Sequence, residues 1–110
     1  MPSYLLQLAY TAEAMAVMVK RPQNRAEAVK KPLEKLGGSM TGFWLAFGEY
    51  DAVGIIEMPD NLSAAAFAMA LSAGGACRSL KTTPLIGIEE GLAAMEKAGT
   101  SGYKPATAKK

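Results

Sequence analysis

Histidine is absent from this 110-residue chain, and cysteine occurs once. The first absence removes the commonest general base, the usual zinc and iron ligand, and any Ser-His or Cys-His nucleophile. The single thiol, Cys77, cannot replace them and permits no intramolecular disulfide. A lone structural thiol in a reducing compartment is the expectation. Any catalysis must rest on carboxylates, Tyr, Lys, Arg or a bound cofactor, and no motif for a cofactor or a metal is present. Gly74-Gly75 is too short for a phosphate loop, and the methionines are spread over several elements as packing residues. Long apolar runs are also missing, since none approaches the roughly 20 residues of a membrane span. The opening "MPSYLLQLAY" lacks a basic leader and a cleavage site, so it reads as a first strand of a cytoplasmic protein. Charge is scarce too. At a net charge of +2, with basic residues in a loop, a helix and the tail, neither nucleic acid nor membrane is an expected partner.

Apolar residues, in contrast, make up 50% of the chain. That is enough for one domain with its own core, with apolar surface left to bury against another copy. Tyr4 to Tyr10 alternates as a strand. Thr11 caps a short helix that ends at Pro22, and Asn24, with Glu27 three residues on, opens a second helix with a capping-box pattern. Val29, Leu33 and Leu36 form its buried stripe, Gly37-Gly38 stops it, and Pro32 should bend it. Met58-Pro59-Asp60-Asn61 breaks a strand and caps an alanine-rich helix to Ala73. Cys77 to Thr83 is a fourth strand, plausible at an edge, and Ile88, Leu92 and Met95 mark a last helix.

Between the second and third helices lie two strands, Ser39 to Phe47 and Tyr50 to Met58. Gly48-Glu49 between them suits a two-residue type II′ turn. That turn sets Leu45 against Ala52 and Phe43 against Gly54 on one face, with Trp44 against Val53 and Ala46 against Asp51 on the other. Both faces are apolar. The chain's helices can cover one of them, and the second calls for oligomerisation. The order β-α-β-β-α-β plus a terminal helix is the ferredoxin-like arrangement, an α+β fold with an antiparallel sheet and helices on one face.

Four residues are candidates for a site. Asp51 is either a hairpin lock, accepting hydrogen bonds from turn amides or pairing with an arginine, or a carboxylate at the rim of an apolar cavity. The lock is the favoured reading. Arg78 can hold an anion or form an ion pair, Trp44 can line a ligand pocket or pack in an interface, and Glu49 is a second candidate base. Arg25, at a helix start, sits poorly with the helix dipole; a tertiary partner would explain it, and so would ordinary solvent exposure.

With these elements in place, the chain resembles the GYD domain family of small bacterial proteins. The likeness rests on the Tyr4 strand, Thr11, Arg25, the G-x-Y-D at Gly48-Glu49-Tyr50-Asp51, Pro59-Asp60 and Arg78. It covers residues 1–97 and leaves 98–110 as a disordered tail. Thr83 stands where a second basic residue would be expected after Arg78, and Pro32 is also a departure. The resemblance implies a dimeric α/β barrel, in which two such sheets close around a cavity. The leading functional reading is a homo-oligomer that binds a small apolar or weakly anionic ligand between sheets, bounded by Trp44, Asp51 and Arg78. A cofactor-free enzyme on the same scaffold, with Asp51 or Glu49 as base for proton transfer or oxygenation and Arg78 holding an anion, is the first alternative. A purely structural oligomerisation module is the second.

Overall fold

The computed structural model describes residues 1–107. Its elements are β1 (Ser3–Tyr10), α1 (Ala12–Lys20), α2 (Arg25–Lys35), β2 (Ser39–Leu45), β3 (Ala52–Glu57), α3 (Asn61–Ala73), β4 (Cys77–Leu85) and α4 (Ile88–Gly99). The strands form one antiparallel sheet in the order β2-β3-β1-β4. This is the ferredoxin-like order, with β1 and β3 inside and Pro84 on the edge strand β4, where its missing N–H costs no ladder bond.

Alternation along β1 decides which face is buried. Tyr4, Leu6, Leu8 and Tyr10 point to one side and meet Ala52 and Ile56 of β3, Val29 and Leu33 of α2, and Ala64 and Phe67 of α3. Leu5, Val53, Ile55 and Trp44 have the other register and stay outside this core. Helices α1, α2 and α3 thus share one face, to which α1 adds only the half-buried Ala14 and Met18. Helix α4 buries none of its residues.

Local chemistry sets the helix ends. The Thr11, Asn24 and Asp60 side chains accept from amides of the first turns of α1, α2 and α3, removing donors that the helices cannot satisfy themselves. Asn24 accepts from Ala26 and Glu27 N–H, which is the forward half of the expected capping box. Helix α2 runs through Pro32 without a break. It closes in a Schellman motif, with Gly38 N–H donating to Leu33 C=O and Gly37 N–H to Glu34 C=O. Gly37 takes a φ of 86° there, a left-handed value that glycine adopts without steric penalty.

The hairpin register expected for residues 42–45 is the one formed. Two details differ from the sequence reading. A bulge between Met40 and Gly42 turns Met40 and Phe43 to the same, core-facing side, which strict alternation forbids. The turn is also wider than two residues. Gly48 is not among the positive-φ residues, so no type II′ turn forms, and Phe47 projects fully into solvent. Asp51 ends the wider loop. Its C=O accepts from Ala46 N–H, which still closes the hairpin, while its N–H donates to Leu8 C=O of β1 at 2.7 Å, so the residue bridges all three strands.

The boundary expected at residue 98 falls within α4, which runs to Gly99. Residues 108–110 of the expected tail lie outside the described residues. Among the described residues no helix is long and apolar enough to cross a membrane.

Candidate functional site

Asp51 sits at the end of β3, beside the end of β1. One carboxylate oxygen, Oδ2, accepts from Tyr10 N–H at 2.8 Å, and the Asp51 N–H is held by Leu8. Backbone and side chain together tie the hairpin to β1, through a β1 amide and not through the turn amides or the arginine expected from the sequence. Replacing Asp51 with Ala leaves a part-buried amide without its charged acceptor. Hydrogen bonds to charged groups contribute roughly 1.5–3 kcal/mol, so D51A is expected to lower stability by about that much. D51N, which keeps an oxygen in place, should lose less. Urea denaturation of the two variants checks the order.

The other sequence candidates do not gather around Asp51. Trp44 lies on the edge strand β2 opposite Val53 and is 55% exposed. Glu49 is exposed in the loop. Arg78 is exposed in β4, at the irregularity where Ala9 pairs with Ser79 and Tyr10 with Cys77. Strand β1 stands between Arg78 and Asp51. Among the described residues no three Cys, Asp or Glu side chains converge as metal ligands.

A different group of residues meets on the helix-covered side, at the same end of the sheet. The Tyr10 ring is buried, and its hydroxyl is enclosed without a hydrogen-bond partner. Tyr4, at the other end of the same strand face, donates its hydroxyl to Asn61 Oδ1. Arg25 stands beside the Tyr10 phenol, where its charge and its N–H donors pull the phenol's pKa down, although the hydroxyl meets no well-formed hydrogen bond. One of its nitrogens, Nη1, donates instead to Gln23 Oε1 at 2.9 Å. Arg25 is half-buried, with Tyr10 and Cys77 as its tertiary neighbours.

Three clefts, of about 220, 230 and 160 Å³, are each lined by Tyr10 and Arg25. Trp44, Asp51, Glu49 and Arg78 line none of the three. In the sequence Tyr10 reads only as a strand end. Its signal was a phenol at the fourth inward position of β1, where a polar tip needs a partner.

Burial sets the titration here. It pushes the Tyr10 phenol above its ordinary 10.0, against the opposing pull of Arg25, and pushes the Cys77 thiol above 9.0. Both groups are therefore protonated at neutral pH, and Cys77 is not a poised nucleophile. For a raised pKa, stability is complete below the unfolded value and declines as pH rises through the folded one. Asp60 is the reverse case, since the Ser63 N–H bond holds it below 3.8, and its contribution is lost as pH falls through that lowered value. Denaturation midpoints over roughly pH 3 to 11 should thus give a plateau that falls at both ends. Tyr10→Phe should flatten part of the alkaline decline.

A sheet in this order, with helices on one face and an apolar face left open, defines a ferredoxin-like α+β domain. The crystal structure of FFRP-DM1 is similar in fold, with a TM-score of 0.50 and 14% identity over 78% of this chain and 100% of that one. No curated protein is a significant match. The chain belongs to the GYD domain family, whose match spans residues 4–95 and includes the Gly48-Glu49-Tyr50-Asp51 loop.

Proposed function

We propose that the protein is a homo-oligomeric α/β-barrel module. In this reading two copies pair their open sheet faces and hold a small apolar or weakly anionic ligand between them. Surface area carries the reading. The chain exposes 7992 Å², whereas a compact monomer of its mass exposes about 5,800 Å². The excess, about 2,200 Å² for one chain, is more than the roughly 800 Å² that each partner buries in a standard protein interface, and the exposed helix α4 carries part of it. Its radius of gyration, 17.9 Å, likewise exceeds the roughly 13 Å of a compact chain of this length. The apolar groups left outside the core fit the same account. Trp44 lies in the register of Val53 and Ile55, and α4 turns Ile88, Leu92 and Met95 to solvent. A second copy is the occupant with matching chemistry, because each copy brings the same apolar face to the pair.

An enzymatic reading on the same scaffold needs Asp51 or Glu49 as a base and Arg78 to hold an anion. It draws less support, since Asp51 already accepts a backbone hydrogen bond and none of the three clefts joins these residues. Native mass spectrometry of gently purified protein tests the proposal. Oligomers carrying extra mass of a small organic molecule are expected. Oligomers that are bare under every gentle preparation would restrict the role to assembly.

A further inference from the structure

We propose that Tyr10 and Arg25 form a carboxylate-binding site within each chain, on the helix-covered side of the sheet and independent of the pairing face. The Tyr10 residue is 6% exposed and its hydroxyl is enclosed with no partner. An enclosed donor without an acceptor is a standing cost to the fold, and an acceptor delivered from outside removes it. The phenol is held protonated by its burial, so it offers a proton for a hydrogen bond. Beside it, the Arg25 guanidinium has donors only and no acceptor. Gln23 Oε1 takes one of those donors and steadies the group. Two adjacent donors, one of them a permanent cation, select an anionic acceptor. A carboxylate matches a guanidinium in shape and can accept from the phenol as well.

The surroundings describe the rest of the ligand. The first cleft, of about 220 Å³, has Ala14, Val17, Met18 and Ala76 as apolar lining around Tyr10, Gln23 and Arg25. A cavity of about 150 Å³ accommodates benzene, so this cleft admits one ring or a short alkyl chain with its carboxylate. The adjoining cleft adds Met15, Val19, Pro22 and Leu45, room for a somewhat longer apolar end. Met15 and Met18 are flexible side chains that can adjust to it. Helix α1 contributes much of this lining and buries no residue fully; only its Ala14 and Met18 pack against the core. A compact apolar monocarboxylate is the class that fits.

Benzoate is the probe, with benzyl alcohol as its neutral counterpart, titrated into the full-length, isotope-labelled protein and followed by amide NMR shifts. Benzoate should give saturable shifts at Tyr10, Val17, Arg25 and Ala76 with millimolar affinity, and benzyl alcohol should bind at least tenfold more weakly. Arg25→Gln should weaken benzoate at least tenfold, with Arg25→Lys in between, and Tyr10→Phe several-fold. The same spectra report whether each variant is folded, and Tyr10→Phe keeps the ring that packs the core. No saturable benzoate shift up to tens of millimolar, equal binding of benzyl alcohol, or benzoate affinity unchanged in folded Tyr10→Phe and Arg25→Lys would each overturn the site. Shifts confined to Trp44, Val53 and Ile55 would overturn it too, while agreeing with a ligand between sheets.

Discussion

Val53→Glu is expected to turn the proposed oligomer into an 11.5 kDa monomer whose own fold is intact. Val53 is half-exposed on the open face, directly across from Trp44 on one side and Gln7 on the other. In an isolated chain a carboxylate at this position stays in water, so folding loses little. In a paired sheet the same carboxylate enters the interface, on a face whose cation, Lys81, lies two strands away across Gln7. An uncompensated buried charge costs several kcal/mol, and every 1.4 kcal/mol is about tenfold in affinity. Two copies bring two such charges to a twofold interface. Weakening by at least a factor of roughly 10³ is expected. Size-exclusion chromatography with light scattering reads the mass, and circular dichroism reads the fold. Ala52→Glu, one residue earlier on the buried face, should unfold the chain. The contrast between neighbours separates the pairing face from the core.

Gly38→Ala is expected to be among the most destabilising of the small substitutions. A Cβ at this position would run into Met58 Sδ, would stand 2.8 Å from Glu57 C=O, and would stand 2.9 Å from Leu33 Cδ1. Met58 and Leu33 are fully buried, and the carbonyl is backbone of β3, so none of the three can move aside freely. The Gly38 N–H also closes the Schellman motif on Leu33 C=O, which prevents retreat of the glycine itself. Overpacking of this kind costs roughly 1–3 kcal/mol and occasionally more. For a domain of about 100 residues, 1 kcal/mol moves the midpoint by about 4–8 °C. A loss on the order of 10 °C or more is therefore expected in thermal melts at matched protein concentration. Gly48→Ala is the control, because a Cβ there meets nothing within 4 Å, and its midpoint should hardly move.

Alternation and end signals made most of the fold legible. Leu6 and Leu8 against Leu5 and Gln7 gave β1 its two faces, and the Thr11, Asn24 and Asp60 caps marked three helix starts. The large-against-small pairing of Phe43 with Gly54 gave the hairpin register. The bulge near Met40 was not legible, because an extra residue leaves no compositional mark when both strand faces are apolar. The wide loop was hidden for a related reason. Gly48-Glu49 suits a tight turn locally, while the hydrogen bonds that tie Asp51 to β1 join residues far apart along the chain.

The candidate site was less legible than the fold. Alternation assigns Trp44, Asp51 and Arg78 to positions along their strands, but not distances across the sheet, where β1 lies between Arg78 and Asp51. Tyr10 and Arg25 were not paired from the sequence. Their proximity depends on how the chain returns through Pro22 to α2, and no local pattern encodes that return. Cys77 joins them through the β1–β4 ladder, a pairing of residues 67 positions apart along the chain.

Pairing through the open face is the central claim, and sedimentation equilibrium of the full chain at micromolar concentration tests it most directly. The account requires a mass of twice 11.5 kDa or a multiple of that pair. A single 11.5 kDa species over the whole concentration range would contradict it and leave the open face and α4 without the partner assigned here.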